Sequence, residues 1–479
     1  MNIQKKILLL PVILFSLAIQ ACSTFRSIPE TNQNKIDSLL SSDFFKSSQA
    51  GIVAYDLTDN KPLYQHNEKL LLRPASNQKI LTTAAAYLFL GPDYKFKTSV
   101  YHTGEIKDSV CSGDLFVVGG FDPDFTTNDL DSLVREIKKF GIKKISGNIY
   151  ADVSAMDSLY WGEGWMWDDE PESYAAFLTP LTINKNSILV DYAPGNIGQP
   201  AKIGLIPETN FVEEVNTSET VDTGKTKMDI TRDWMKRSNT IIVRGKLLKS
   251  AKRDTVSLSV FNPTFYFLHL MNKSLLRSGI SIAGKVDTMT LDEDAKSIFA
   301  FERGIDPVIR NTNKISDNLS AEMLLRSLAL NNSGRRASAK KGIVLIDSLI
   351  SVVGLNPKNY MVADGSGLSN YNLLSAELLT SLFKYIYYKK PELYEKLCSS
   401  FPISGFDGTL SNRMKKSGAF MRVFAKTGSI RGVSSLSGYL LSRKNHLIAF
   451  SILIQNFTGG TTQARTIQDN ICNILFEVN

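Results

Sequence analysis

The stretch from Pro74 to Leu90 limits the fold more than any other part of the chain. It opens Pro74-Ala75-Ser76-Asn77-Gln78-Lys79, runs through Leu81, Ala84, Ala85, Ala86 and Leu88, and stops at Gly91-Pro92. A proline at the start and a Gly-Pro pair at the end are helix punctuation. Between them the helix is apolar nearly all round. Such a helix has no face for solvent and must be enclosed by other layers. The polar quartet Ser76-Asn77-Gln78-Lys79 at its start is thereby drawn inside.

The layers around it are readable at both ends of the chain. Residues 51–57 (GIVAYDL) read as a strand, Thr58-Asp59-Asn60-Lys61 as a turn, and a second strand is expected through Tyr64. Helical patterns occupy 318–330, 339–353, 375–388 and 392–398. A strand meander at 423–427, 434–440 and 447–455 precedes an amphipathic helix over about 461–476. The expected fold is α+β, an α-β sandwich in which two N-terminal and three C-terminal strands form one five-stranded antiparallel sheet with helices on both faces. Between residues 95 and 286 the texture changes to short alternating segments, as at 115–118, 145–151 and 241–243, broken by Gly, Asn, Asp and Thr turns. This reads as a mostly β insertion of one or two subdomains, with the polar, Thr-rich stretch 207–227 as an exposed loop. The domain reading is therefore one domain from 30–94 and 287–479, interrupted by 95–286.

The first residues bear on compartment. Lys5 and Lys6 precede an apolar run at 7–19 that only Pro11 and Ser16 interrupt, and Ala21-Cys22-Ser23 follows. This reads as a secretory signal over 1–21, too short for a comfortable membrane span. Cys22 after Ala21 resembles a bacterial lipobox, although Gln20 departs from the usual small residue. The likeness implies cleavage before Cys22, lipidation there and an exported, periplasmic protein held to a membrane. Ordinary cleavage to a soluble periplasmic protein is the alternative. The formal net charge of +8 comes with no Lys/Arg block interleaved with aromatics, so no nucleic acid is expected as a partner. After such processing Cys111, Cys398 and Cys472 remain, an odd number with no C-x-x-C pattern. His66, His102, His269 and His446 are scattered without ligand spacing, so neither a metal nor another cofactor is expected. Gly365-Ser366-Gly367 lacks the spacing of a nucleophile elbow.

Three short motifs carry chemistry. Ser76-Asn77-Gln78-Lys79 puts a hydroxyl and an amine on one helix face at i and i+3. Serine needs a base, and a buried lysine whose pKa has fallen can be one. The helix start also offers a backbone N–H to an oxyanion. The pattern alone is weak, since Ser338 to Lys341 and Ser381 to Lys384 repeat it on helices expected to be solvated. Ser316-Asp317-Asn318 opens another helix, where the plainer role is capping; Ser146-Gly147-Asn148 repeats that spacing in a turn. Lys426-Thr427-Gly428 occurs once, at a strand end before Ser429. A lysine and hydroxyl there can bind a carboxylate, and the glycine lets a ligand approach the backbone closely.

In that order and context the three motifs are the signature set of penicillin-binding proteins and class A β-lactamases. The long gap between Ser76 and Ser316 narrows the likeness. The chain resembles the D-Ala-D-Ala carboxypeptidase/endopeptidase family, the class C low-molecular-mass penicillin-binding proteins, which carry insert domains between their first two motifs. Gly119-Gly120-Phe121-Asp122-Pro123 resembles the family's Gly-Asp-Pro turn. Gly164-Trp165-Met166-Trp167-Asp168-Asp169, with Tyr174-Ala175-Ala176, resembles its Trp-Asp segment. Asp364-Gly365-Ser366-Gly367-Leu368-Ser369 matches its D-G-S-G-L-S loop, with Asn370 where a basic residue is usual.

The resemblance implies a role for each matching residue. Ser76 attacks the carbonyl between two D-alanines of a peptidoglycan stem peptide, with Lys79 as base. Ser316 passes a proton toward the leaving amine, and Asn318 holds the substrate backbone. Lys426 and Thr427, with Gly428 beside them, recognise the terminal carboxylate. The N–H groups of Ser76 and Ser429 form an oxyanion hole, and Leu368 lies in a loop at the substrate. Asp169 binds the free amine of a diaminopimelate side chain, a role for which Asp168 is equally placed; a surface turn acid is the plainer alternative. β-Lactams are then covalent inhibitors, and the lipid anchor makes the membrane, the outer one favoured because of Ser23, a further partner. Two rivals carry less support. No E-x-x-L-N motif precedes Ser316, as a class A β-lactamase would need, and an inactive wall-binding scaffold would be expected to lose the serine or a lysine. The sequence leaves open the oligomeric state and whether carboxypeptidase or endopeptidase activity dominates.

Overall fold

The computed structural model describes residues 30–334 and 336–478; the leader and Cys22 lie outside the described residues. Five strands, β1 (Gln49–Asp56), β2 (Lys61–His66), β3 (Val423–Ile430), β4 (Val433–Leu441) and β5 (Leu447–Gln455), form one sheet in the order β3-β4-β5-β1-β2. Every pairing in it is antiparallel. Around it lie α1 (Gln78–Phe89), α2 (Ile305–Lys314), α3 (Asn318–Ser333), α4 (Ala376–Lys389) and α5 (Thr462–Phe476).

Strand β5 shows why the sheet is covered on both sides. All nine of its residues are buried, and successive side chains point to opposite faces. Leu447, Ala449 and Leu453 share a core with Leu378, Leu382 and Phe383 of α4. Ile448, Phe450, Ile452 and Ile454 share another with Ile467, Ile471 and Leu475 of α5. Helix α1 is the enclosed element that its composition demands: Gln78 to Tyr87 are all buried. Two of the helices around it start on side-chain caps, Asp317 accepting from Ser320 N at 2.6 Å and Ser375 from Leu378 N at 3.1 Å.

The chain leaves this core along Lys95–His102 and returns along Lys296–Gly304, and those two strands pair antiparallel with Gly304 opposite Lys95. By hydrogen bonding, then, residues 296–304 go with the insert, whereas the sequence reading ends it at 286. The same sheet includes Leu115–Val118, Ile149–Asp152 and Val286–Thr288. Beyond it the insert is β-rich, with three smaller sheets, and it also contains two long helices that the sequence reading leaves out, Thr127–Lys139 and Pro263–Arg277. The first buries Leu130, Leu133, Val134 and Ile137 behind a Thr126/Asp129 capping box. The stretch 207–227 is not all loop: Glu213–Asn216 and Glu219–Val221 pair in parallel with Thr240–Leu248. Their side chains are largely exposed, so no alternation marks them as strands. Cys111, Cys398 and Cys472 are unpaired. Among the described residues no helix is long and apolar enough to cross a membrane.

Candidate active site

The central helix begins abruptly. Ala75 is left-handed (φ 46°), Ala75–Asn77 make a 3-10 turn, and the α-helix proper starts at Gln78. This places Ser76 at the lip of a cleft of about 810 Å³ with Lys79 one turn below. The turn is held from two sides by glycines. At Gly367 (φ 80°) a Cβ would lie 1.8 Å from the Ala75 carbonyl oxygen; at Gly428 one would lie 2.1 Å from Ser435 Oγ and 3.0 Å from Ser76 N. Both approaches exclude a side chain.

Lys79 Nζ is fully buried and donates to Ser76 Oγ (3.0 Å), Asn318 Oδ1 (2.5 Å) and the Ser366 carbonyl (2.6 Å). Burial lowers its pKa to about 8, against the pull of Asp364, Asp317 and Glu322, which raise it. A lysine so placed is neutral in an appreciable fraction near neutral pH and can take the Ser76 proton. Across the cleft Ser316 is also left-handed (φ 63°), which turns its hydroxyl toward Lys426, whose Nζ donates to Ser316 Oγ at 2.8 Å and to the Thr427 carbonyl at 2.8 Å. Burial, and then the charge of Lys79, hold the Lys426 amine well below its ordinary value. Asn318 bridges the two sides of the cleft, accepting from Lys79 and donating from Nδ2 to the Tyr174 carbonyl at 2.8 Å. Thr427 Oγ1 donates to Thr409 Oγ1 at 2.7 Å.

The Asp364–Ser369 loop forms the floor. Asp364 accepts from the backbone N–H of Gly367 and Ser369, both at 2.8 Å, from Asn372 Nδ2 at 2.7 Å and from Trp165 Nε1 at 2.9 Å. Beneath it the buried Glu322–Arg326 pair (2.5 Å) accepts the N–H groups of Gly365 and Ser366 on Glu322 Oε1. That fixes the Ser366 carbonyl that receives Lys79. Glu322 is missed by the sequence reading; its only signal is a carboxylate on an otherwise apolar helix face, which asks for a partner. Arg73 is missed as well. It lines the cleft and donates to Asn370 Oδ1 at 3.3 Å, bringing a cation to the position where the family usually places a basic residue.

The insert supplies the far rim. Asp168, Asp169, Glu172 and Tyr174 line the cleft together with Leu368 and Ser429. Tyr174 Oη donates to Asp169 Oδ1 at 2.8 Å. Burial and the neighbouring Asp169 raise the Glu172 pKa. Three carboxylates on one rim make that side of the cleft electronegative. The sequence-predicted residues Ser76, Lys79, Ser316, Asn318, Lys426, Thr427, Gly428, Ser429, Leu368 and Asp169 thus converge on one cleft; Cys22 lies outside the described residues. The two other S-x-x-K matches do not reach it: Ser338 caps its helix by accepting from Lys341 N at 3.2 Å, and Ser381 and Lys384 lie within α4.

Known proteins are similar to this chain over nearly its whole length. The D-alanyl-D-alanine carboxypeptidase DacB of Haemophilus influenzae is 29% identical over 427 residues, covering 88% of each chain. The D-alanyl-D-alanine carboxypeptidase of Actinomadura sp. strain R39 is 29% identical over 463 residues, covering 92% of this chain and 84% of its own. The crystal structure of Haemophilus influenzae penicillin binding protein 4 (dacB) matches with a TM-score of 0.82 at 28% identity, over 92% of this chain and 99% of that one. The same protein complexed with a β-lactam matches with a TM-score of 0.76 at 27% identity, over 93% and 99% of the two chains. The model of one peptidase family matches residues 32–478. The chain belongs to the D-Ala-D-Ala carboxypeptidase 3 (S13) family.

Proposed function

We propose that this serine-type D-Ala-D-Ala carboxypeptidase/endopeptidase works through an acyl-enzyme on Ser76. The observation that carries the reading is the double pairing in one cleft, Lys79 Nζ on Ser76 Oγ at 3.0 Å and Lys426 Nζ on Ser316 Oγ at 2.8 Å. Neutral Lys79 takes the Ser76 proton as Oγ bonds to the carbonyl carbon of the penultimate D-alanine. The N–H groups of Ser76 and Ser429 receive the developing oxyanion. As the C–N bond breaks, the leaving amine takes its proton by way of Ser316, which hydrogen-bonds Lys426. Water then attacks the ester, the C–Oγ bond breaks, and Ser76 recovers its proton. Asn318 orients the peptide, Lys426 and Thr427 take the terminal carboxylate, and Leu368 packs beside it. Penicillin acylates the same serine because its strained amide enters as the substrate amide does.

The electronegative rim supports Asp169, with Asp168 beside it, as the site for a free amine on the stem peptide, as diaminopimelate carries. Export with a lipidated Cys22, leaving the enzyme on a membrane facing the wall, is supported by the leader sequence. The mass of the mature protein tests it: a chain beginning at a lipid-modified Cys22 is expected, and a start elsewhere contradicts it. For the reaction, D-alanine release from a pentapeptide ending in D-Ala-D-Ala is expected from the wild type and not from Ser76→Ala. Release by Ser76→Ala at the wild-type rate would contradict the assignment. Cleavage of a cross-linked peptide dimer, run in parallel, ranks the two activities.

A further inference from the structure

Three consecutive non-glycine residues of the insert, Asn184, Lys185 and Asn186, are left-handed, with φ of 49°, 58° and 52°. Such residues occur singly as a rule, so a run of three is strain that its surroundings must hold. The holding groups are visible. Asn184 Nδ2 donates to Thr127 Oγ1 at 2.8 Å and its Oδ1 accepts from Thr127 N at 3.0 Å. Asn186 Nδ2 donates to the Phe177 carbonyl at 2.8 Å and its Oδ1 accepts from Ile183 N at 3.2 Å. Clamped between them, Lys185 points out of the insert into the catalytic core. Its Nζ pairs with Asp124 of the insert, lies 3.4 Å from Asp317 Oδ1 and donates to Ser320 Oγ at 3.1 Å. Asp124 is held in turn by Asn311 Nδ2 of α2 at 2.9 Å, and its neighbour Asp122 by Arg303 Nε at 2.9 Å. The ladder Asp124–Lys185–Asp317 therefore ends on the middle residue of Ser316-Asp317-Asn318.

We propose that Lys185 is a positioning residue for acylation: the insert holds it against Asp317 so that it neutralises that carboxylate and fixes the Ser316-Asp317-Asn318 turn against Lys79. The proposal rests on Lys79 being the base. Burial would push the Asp317 pKa up, but Lys185, the Ser320 hydrogen bonds and Lys79 together hold it below its ordinary value, so the carboxylate is charged. The charged groups that bear on Lys79 are Asp364, Asp317 and Glu322, and the charge of Lys79 in turn bears on Lys426 across the cleft. Of the three carboxylates, Glu322 is paired with Arg326 and Asp364 is saturated by N–H donors. Asp317 is paired from the insert, and through Lys185 the insert influences how tightly Lys79 holds its proton.

The test follows the rate of penicillin acylation between about pH 6 and 10 for the full chain, with melting temperatures as a control. The wild-type rate is expected to rise through a limb near the Lys79 pKa of about 8. Lys185→Met leaves Asp317 uncompensated beside Lys79, so the limb moves up by about half a unit to one unit and the rate at pH 7 falls roughly three- to tenfold. Asp124→Asn releases Lys185 toward Asp317, so the limb moves down by a smaller amount. Lys185→Arg stays near wild type. Loss of packing alone would not give shifts of opposite sign. Unmoved limbs, or shifts of the same sign, overturn the proposal; if Lys185→Met does not fold, Asp124→Asn and Lys185→Arg decide it. A wild-type profile with no limb near 8 would instead remove the base assignment itself.

Discussion

The two sides of the cleft are built in opposite ways. On the catalytic side Lys79 and Lys426 are fully buried, Ala75 and Ser316 hold left-handed backbone, and two glycines admit contacts that no side chain would allow. On the insert side Asp168, Glu172 and Tyr174 are exposed and Asp169 is half-buried, on short 3-10 turns at 167–169 and 173–175. Chemistry that depends on a lowered lysine pKa and a fixed nucleophile needs the first kind of wall. Reading a flexible peptide in solvent needs only the second. Substitutions on the two sides should therefore differ in kind as well as in size.

The largest effect short of removing the nucleophile is expected at Lys79. Lys79→Met should slow penicillin acylation by about 10²–10⁴-fold, the usual worth of a general base, and abolish the rise in rate through about pH 8. The sign follows from the base form being neutral: rate increases as the amine loses its proton. Next is Gly428→Ala, whose Cβ meets Ser435 Oγ, the Pro74 carbonyl and Ser76 N. Overpacking of that kind costs about 1–3 kcal/mol. Thermal melting should show the loss, and acylation should slow as Ser76 is displaced. The smallest effect sharpens the comparison. Asp169→Asn should reduce kcat/KM for a peptide bearing a free side-chain amine roughly fivefold, the about 1 kcal/mol of a half-exposed charge pair. Penicillin acylation and melting temperature should stay unchanged. If Asp169→Asn slows penicillin acylation as much as Gly428→Ala does, the division of labour between the two walls is wrong.

The same division explains what was legible in the sequence. The core strands and helices announce themselves because each is buried on a regular period or starts at a cap: α4 behind Ser375, α3 behind Asp317, β5 mostly apolar and buried along its whole length. The central helix at Ser76 is legible from composition alone, and the burial of Asn77, Gln78 and Lys79 beside the cleft-lining Ser76 follows from that. In the insert, Thr127–Lys139 has an equally plain signal, with the Thr126/Asp129 box and apolar residues at 130, 133, 134 and 137. The strand-like texture of the segments on either side masks it. The edge strands at 213–216 and 219–221 carry exposed glutamates, so no local pattern could mark them. Lys185 is the clearest case of a residue beyond reach. Asn-Lys-Asn permits a left-handed turn, but that the turn aims an amine at Asp317 is a fact of tertiary structure. Glu322 and Arg73 likewise acquire their roles from partners dozens to hundreds of residues away.

The central claim, that Ser76 is the nucleophile acylated in this cleft, is tested most directly by the intact mass of the processed protein after exposure to penicillin, compared with Ser76→Ala. The account predicts one stable adduct on the wild type and none on Ser76→Ala. An adduct that persists in Ser76→Ala, or a wild type that neither keeps an adduct nor consumes penicillin, would contradict it.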